Sequence, residues 1–143
     1  MVKWGILGTG SIAKTFAKAL NESNQSELSA VASRSDKNAN EFSSLFNCIG
    51  YSDYQQLIAS KSIDAIYIAT PHPFHFDLAF RSLKNKKSVL CEKPISIKSK
   101  DVLKLFKAEK DSKKIIAEAF MVRFHPQWIK AKKLIGDGKI GKL

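Results

Sequence analysis

Two short segments of the chain carry residue types that could do chemistry together. One is the glycine-rich run Gly8–Ala13 and the other is Glu92-Lys93-Pro94, and each follows a short apolar stretch. A glycine-rich turn between a strand and a helix can hold a diphosphate, and a lysine at the end of a nearby strand can face what the turn holds. Oxidation of an alcohol by hydride transfer also needs a group that takes the hydroxyl proton, and Lys93 is the candidate. The two segments together indicate nicotinamide-dependent oxidation or reduction.

The glycine-rich run has the spacing Gly-x-Gly-x-x-Ala of a dinucleotide-binding turn. Gly8 would allow the tight turn, Gly10 would let the backbone approach a diphosphate, and Ala13 would keep the helix close to the strand. The N–H groups and the positive dipole end of the helix would bind the phosphates. We predict that the whole run binds the cofactor, namely Gly8, Thr9, Gly10, Ser11, Ile12 and Ala13.

The end of the second predicted strand decides between the two nicotinamide cofactors. A carboxylate there would bind the ribose 2′-hydroxyl and repel a 2′-phosphate. The chain has Ser33-Arg34-Ser35 at this place, with Lys37 close behind and Asp36 as an opposing charge. Arg34 can hold a phosphate through two parallel hydrogen bonds, and the serines can donate to it. NADP is the predicted cofactor, with NAD as the alternative if Arg34 is only an exposed surface residue.

Short apolar runs alternate with amphipathic segments, which is the pattern of β-α-β units on a parallel sheet. We predict an α/β fold with a Rossmann-type, doubly wound parallel sheet. The predicted strands are 2–7, 28–33, 48–51, 65–69, 88–91 and 115–119. The predicted helices are 11–22, 36–46, 54–60, one that begins near residue 73 or 74, 100–111, and 126–135. Asp36, Asp53 and Ser99 are the predicted caps. In the fifth helix, the residues predicted to face the core are Val102, Leu103, Leu105 and Phe106.

Composition limits the function classes. The chain has 143 residues, of which 44% are hydrophobic and 26% charged, as in an ordinary globular protein. No apolar run reaches the roughly 20 residues of a membrane helix. Cys48 and Cys91 stand beside apolar residues without metal-ligand spacing, so we expect reduced thiols and a cytoplasmic location.

The net charge of +11 lies in the second part of the chain. Residues 1–83 are neutral, whereas residues 84–143 carry 17 Lys or Arg against 6 Asp or Glu. Such a surface attracts anions, including nucleic acid. The chain has 21 Lys but only 3 Arg, and sequence-reading nucleic-acid sites depend on Arg. A solvated lysine-rich surface is the preferred interpretation, and nucleic acid is not a predicted partner.

Four segments in order make the chain recognisable. They are Gly8–Ala13, Ala69–His75, Val89–Pro94 and Glu118–Pro126. With these segments the chain resembles the amino-terminal NAD(P)-binding domain of the Gfo/Idh/MocA oxidoreductase family, and it is most similar to the dimeric dihydrodiol dehydrogenase and D-xylose dehydrogenase branch. The resemblance covers nearly the whole chain and implies hydride transfer to or from the hydroxyl of a sugar, polyol or diol.

The resemblance also implies roles for single residues. Glu92 and Lys93 would lie near the nicotinamide ribose, with Lys93 as the catalytic residue that positions the substrate hydroxyl and relays its proton. Arg123 would lie by the nicotinamide. The segment after the fourth strand would line the cofactor, namely Ala69, Thr70, Pro71, His72 and His75. A lysine can accept a proton if its surroundings favour the neutral amine, whereas the neighbouring Glu92 favours the ammonium form.

His72 and His75 are three residues apart, which would suit two metal ligands on one helix face. Pro73 stands between them and no third ligand is near, so no metal site is predicted. His125 precedes a proline and is expected to pack or to cap the last helix.

The predicted organisation is a Rossmann domain at 1–122, followed at 123–143 by a linker helix and the start of a further domain. In the family that further domain is a carboxyl-terminal α+β domain with the substrate pocket and the dimer sheet. We expect it to be missing here, so that the last helix exposes apolar residues and oligomers form only with that domain. The alternatives are a non-catalytic NAD(P)-binding module that senses cofactor or pairs with another chain, and a shortened gene product.

Overall fold

Six strands form one sheet in the computed structural model of the protein, which describes residues 1–141. In chain order they are β1 (Val2–Leu7), β2 (Ser26–Ala32), β3 (Ile49–Tyr51), β4 (Ala65–Ile68), β5 (Ser88–Cys91) and β6 (Ile116–Glu118). Their order across the sheet is β3-β2-β1-β4-β5-β6, and every neighbouring pair is parallel. This is the doubly wound order of a Rossmann sheet, in which the strand order reverses at β1. The predicted fold class is confirmed.

Helices connect successive strands, as parallel pairing requires. They are α1 (Ser11–Asn21), α2 (Asp36–Phe46), α3 (Tyr54–Ala59), α4 (His75–Lys84), α5 (Ser99–Ser112) and α6 (Pro126–Gly136). Two short 3₁₀ helices, His72–Phe74 and Met121–Phe124, lead directly into α4 and α6. None of the helices in residues 1–141 has the length and apolar character that crossing a bilayer requires.

The sheet is covered on both faces because successive strand residues point to opposite sides. Ile6 and Tyr67 pack with the buried residues of α1 and α2. Leu7 and Ile68 pack on the other face with buried residues of α3, α4 and α5. The carboxyl ends of the central strands are therefore held between two cores.

Several local predictions differ from the structure. The hydroxyl of Ser35, and not Asp36, caps α2 by accepting from the amide of Asn38 at 3.3 Å. The predicted Asp53 cap of α3 is confirmed, since its carboxylate accepts from the amide of Gln55 at 2.9 Å. Ser99 is the first residue of α5 and not its cap.

The inward face of α5 differs in part from the prediction. Leu105 is buried as predicted, together with Ala108, and Val102 is partly buried, whereas Leu103 and Phe106 are 69% and 57% exposed. The apolar residues of α6 are exposed as well, among them Trp128 and Ile129. This helix packs chiefly against the Met121–Phe124 turn.

Cys91 gives a prediction on alkaline stability. Its thiol is completely buried, and burial, assisted by Glu92 and Glu118, raises the pKa from 9.0 to about 12. Above pH 9 the unfolded chain therefore releases a proton that the folded chain keeps, so the free energy of unfolding falls as pH rises towards 12. Between about pH 9 and pH 10.5 this thiol would account for a loss of about 2 kcal/mol.

We expect the free energy of unfolding to fall less in Cys91→Ala than in the parent protein between these two pH values. Urea unfolding at about pH 9 and at about pH 10.5 is the measurement. Cys48, whose pKa burial raises to about 11, is present in both proteins and serves as the common background. Equal losses in the two proteins would contradict the prediction.

Candidate dinucleotide site at the carboxyl ends of the strands

Backbone hydrogen bonds bring four segments to one edge of the sheet. The amide of Gly8 donates to the carbonyl of Ala32 at 2.9 Å, and the amide of Ala69 donates to the carbonyl of Leu7 at 2.9 Å. The amide of Glu92 donates to the carbonyl of Ile68 at 2.9 Å. The residues that follow β1, β2, β4 and β5 therefore meet at the edge where β1 separates the two halves of the sheet.

Gly8 stands at the closest backbone approach in this edge. Its φ of +106° lies in a region that residues with a side chain rarely adopt. A Cβ atom on Gly8 would also lie 2.5 Å from the carbonyl oxygen of Ala69. The turn can pass between β1 and the end of β4 only because this residue has no side chain.

Gly10 faces open space at the amino end of α1. It precedes the first helical residue with φ −71° and ψ −178°, and no side chain in residues 1–141 caps the helix. A Cβ atom at Gly10 would meet nothing within 4 Å. Ala13 is buried beneath this end, while Ser11 is exposed and Thr9 and Ile12 are partly exposed. The helix start thus presents backbone donors and an empty space, which is the arrangement that binds an anion.

Thr70, directly after β4, has a polar atom without a partner. The residue is buried, and its hydroxyl makes no hydrogen bond with any group in residues 1–141. A buried hydroxyl without a partner costs free energy, so such a group commonly awaits a ligand or water. The backbone of Thr70 lies beside Gly8, because its nitrogen is 3.4 Å from the Cβ position of that residue. The glycine turn and this hydroxyl therefore fit a dinucleotide.

The end of β2 holds the residues predicted to select the cofactor. Ser33 is buried and its amide donates to the carbonyl of Tyr51 at 3.0 Å. Its hydroxyl accepts from the amide of Ser35 at 3.3 Å. A hydroxyl that accepts can still donate its own hydrogen, so both serines keep a donor for a phosphate.

Arg34 is exposed and lies just after the end of β2. Its guanidinium carbon is 4.9 Å from the centre of the Phe74 ring. It also lies beside the hydroxyl of Tyr54, whose pKa burial raises and the arginine partly lowers. The structure thus places Arg34 against the Phe74 ring and the Tyr54 hydroxyl, at the end of β2, and its side chain remains accessible to solvent.

His75 is not exposed at the site. It is completely buried as the first residue of α4, with Nε2 2.7 Å from the carbonyl oxygen of Thr70 and Nδ1 2.8 Å from that of Pro94. The ring thus links the segment after β4 to the segment after β5, and the cofactor contact of His75 stays a prediction. His72 is exposed next to it, with the ring centres 5.5 Å apart. Within residues 1–141 no three His, Cys, Asp or Glu residues are grouped for a metal.

Glu92 is held from two sides. The hydroxyl of Tyr67 donates to its Oε1 at 2.5 Å, and the amide of Lys93 donates to its Oε2 at 3.3 Å. Burial, and then the Glu92 carboxylate, raise the pKa of Tyr67, so the phenol remains a donor. Sequence reasoning does not find Tyr67, because it stands in an almost wholly apolar predicted strand. The one signal is a hydroxyl in an otherwise aliphatic strand.

Lys93 borders an apolar cleft of about 280 Å³. The cleft is lined by Lys93, Ala119, Phe120, Met121, Val122, His125, Gln127 and Trp128. His125 also caps α6, since its Nδ1 accepts from the amide of Gln127 at 3.2 Å. A flat ring can lie against such walls with the lysine beside it.

Arg123 lies in a neighbouring cleft. That cleft, of about 510 Å³, is lined by Val122, Arg123, Trp128, Ile129 and Lys132. Val122 and Trp128 line both clefts and form the wall between them. The structure does not bring Arg123 and Lys93 into one cleft.

The fold and the site define a dinucleotide-binding α/β protein. Residues 2–120 match the model of an oxidoreductase family with an NAD-binding Rossmann fold, GFO_IDH_MocA. The chain therefore belongs to the Gfo/Idh/MocA oxidoreductase family.

Relatives with established names share this part of their sequences with the chain. D-xylose 1-dehydrogenase (NADP(+)) of Hypocrea jecorina is 37% identical over 98% of this chain and 39% of its own length. Trans-1,2-dihydrobenzene-1,2-diol dehydrogenase of Xenopus laevis is 35% identical over 97% of this chain and 43% of its own length. The chain thus spans about two-fifths of the length of these curated relatives.

A solved structure shows the same fold. A 3-ketoreductase from Actinomadura kijaniata, in complex with TDP-benzene and NADP, superposes with a TM-score of 0.93 at 28% identity. The match covers 99% of this chain and 45% of that one.

Proposed function

We propose that the chain is the NADP(H)-binding part of an oxidoreductase that transfers a hydride to or from a hydroxyl of a sugar, polyol or diol. The observation that carries the proposal is the uncapped amino end of α1 at Gly10. It belongs to the same turn as Gly8, which packs against the backbone of Thr70, a residue whose buried hydroxyl has no partner within residues 1–141. The names of the xylose dehydrogenase and the ketoreductase complex, both with NADP, support the cofactor and the substrate class.

The chain's own residues divide the work. The backbone donors at the start of α1 would hold a diphosphate, and Ala69, Thr70, Pro71 and His72 would border it. Arg34 would bind a 2′-phosphate with Ser33, Ser35 and Lys37. When bound, the nicotinamide dinucleotide supplies or accepts the hydride.

Lys93 would take or return the hydroxyl proton at its Nζ, while Glu92, oriented by Tyr67, would fix the loop that presents this lysine. Arg123 would lie by the nicotinamide, on the side of the adjoining cleft. We further propose residues 1–122 as the cofactor domain and 123–143 as its connection to a substrate domain, although Lys142 and Leu143 lie outside the described residues. The free thiols Cys48 and Cys91 support a cytoplasmic location, where thiols are kept reduced.

Cofactor preference tests the proposal first. We expect the protein to bind NADPH more tightly than NADH in a titration that follows nicotinamide fluorescence at fixed ionic strength. Arg34→Ala is expected to weaken NADPH binding about tenfold to a hundredfold, since it removes a charge-assisted bidentate contact. NADH, which lacks the phosphate, should change little.

Lys18→Ala, an exposed change at the far end of α1, serves as the control and should alter neither affinity. Equal losses of NADPH and NADH affinity in Arg34→Ala would remove the phosphate role from this residue.

Lys93→Met tests the proton relay. In an enzyme reconstituted with a substrate domain and assayed with NADP⁺ and a panel of sugars and diols, the variant is expected to lower kcat by at least about a hundredfold. The Kd for NADPH should stay within about threefold, since the lysine acts on the substrate hydroxyl. Lys98→Met, exposed in the following loop, is the matched control. Full turnover by Lys93→Met would show that another group moves the proton.

A non-catalytic NAD(P)-binding module is the second candidate. The exposed apolar residues of α6 favour it, because Trp128, Ile129, Leu134 and Ile135 suit a surface that pairs with another chain or domain. Cofactor binding without turnover on any sugar or diol, alone or with such a partner, would favour this candidate over the enzyme.

A further inference from the structure

A cleft between α1 and α2 adjoins the proposed phosphate site, and none of the roles proposed above uses it. Its volume is about 350 Å³, and its lining residues are Thr9, Lys14, Asn38, Glu41, Phe42 and Leu45. Thr9 belongs to the glycine-rich turn, and the amide of Asn38 donates to the hydroxyl of Ser35. The cleft therefore has the diphosphate turn on one side and the first turn of α2 on the other. A 2′-phosphate would be bound just before that turn, at the end of β2.

The charges in this cleft oppose each other. Lys14 lines it from α1 and takes part in no ion pair within residues 1–141. Glu41 lines it from α2, with its Oε1 3.9 Å from the Nζ of Lys37. A doubly charged phosphate near this cleft would attract Lys14 and be repelled by Glu41.

The pair between Lys37 and Glu41 is weak. The side chains are 82% and 65% exposed, and exposed ion pairs are largely offset by solvent and by side-chain entropy. Lys37 can therefore change partners when a phosphate arrives. The carboxylate of Glu41 then remains beside the cleft without its counter-charge.

We propose that Glu41 limits the preference for NADP over NAD and that Lys14 is a second phosphate-binding cation in the same cleft. The inference rests on the proposed function. It assigns opposite effects to two residues that line the cleft from different helices, and it restricts both effects to the cofactor that carries the 2′-phosphate. NADH has an uncharged hydroxyl at that position, and the charge of the diphosphate is common to both cofactors.

The test is a titration of the full chain with NADPH and with NADH at low and at high salt. Glu41→Gln is expected to tighten NADPH binding about threefold to fivefold, and Lys14→Met to weaken it by about the same factor. Both effects should shrink at high salt, because exposed charges are screened. At each salt concentration, the NADH affinity of both variants should stay within about twofold of that of the parent protein.

Two exposed residues provide the controls: Glu22→Gln, at the residue that directly follows α1, and Lys18→Met, one turn beyond Lys14 in α1. Neither should change the preference. If NADPH binds but Glu41→Gln leaves its affinity unchanged, lowers it, or raises that of NADH equally, the inference is overturned and the proposed function stands. If the parent protein binds neither cofactor, both are overturned.

Discussion

Gly10→Asp is expected to abolish measurable NADPH and NADH binding while making the folded protein slightly more stable. The backbone of Gly10, at φ −71° and ψ −178°, suits any residue, and its Cβ position is open. Aspartate is a favoured residue before a helix, and α1 has no side-chain cap, so the new carboxylate would accept from the first helical N–H groups. The expected gain in the free energy of unfolding is about 0.5 to 1 kcal/mol.

The same carboxylate would fill the place of the diphosphate. It would use the donors that an anion needs and repel the anion itself, so affinity for both cofactors should fall by more than about a hundredfold. Thermal unfolding and nicotinamide fluorescence together measure the two opposite effects.

Gly10→Ala is the matched control, because it adds a Cβ without a charge or a cap. It should bind both cofactors more weakly than the parent protein but far better than Gly10→Asp. Unchanged affinity in Gly10→Asp would place the diphosphate elsewhere.

Gly8→Ala is expected to lower the free energy of unfolding by about 2 to 4 kcal/mol, and the melting temperature by about 10 °C. Two costs combine at this position. Alanine is strained at φ +106°, and its Cβ would lie 2.5 Å from the carbonyl oxygen of Ala69. That oxygen cannot retreat easily, since the amide of Ala69 donates to Leu7 in the adjacent strand.

Gly138→Ala separates the two costs. Gly138 also has a positive φ, +70°, but a Cβ there would meet nothing within 4 Å. It should cost only about 1 kcal/mol, by backbone conformation alone. Chemical denaturation of the two variants is the measurement, and equal losses would mean that the contact with Ala69 contributes nothing.

The glycine turn and the Lys93 loop could be placed from sequence because each depends on its immediate neighbours. A turn that needs Gly8 is recognised by spacing, and an apolar run such as β5 is recognised by its length and composition. The cap of α2 cannot be assigned from sequence, since Ser35 and Asp36 both suit a helix start. The extended backbone of Ser35 in the structure identifies it as the cap.

The inward face of α5 could be predicted only in part, for a related reason. Leu103, Leu105 and Phe106 are all apolar, and periodicity alone does not say which of them meets α4 and the sheet. The packing buries Leu105 with Ala108 and leaves the other two in solvent. The helix approaches closely through a small residue rather than through the largest ones.

By itself, then, the sequence determined the parallel sheet, the glycine turn and the loop that presents Lys93, since periodicity and glycine spacing are local properties of the chain. Only the tertiary structure decided that Tyr67 binds Glu92, that His75 is buried between the carbonyls of Thr70 and Pro94, and that Arg34 stacks on Phe74. These partners are either far apart in the sequence or come into contact only because of the directions in which their side chains point. They come together only because the strand order places β4 beside β1 and β5, so that loops from separate units share one edge of the sheet.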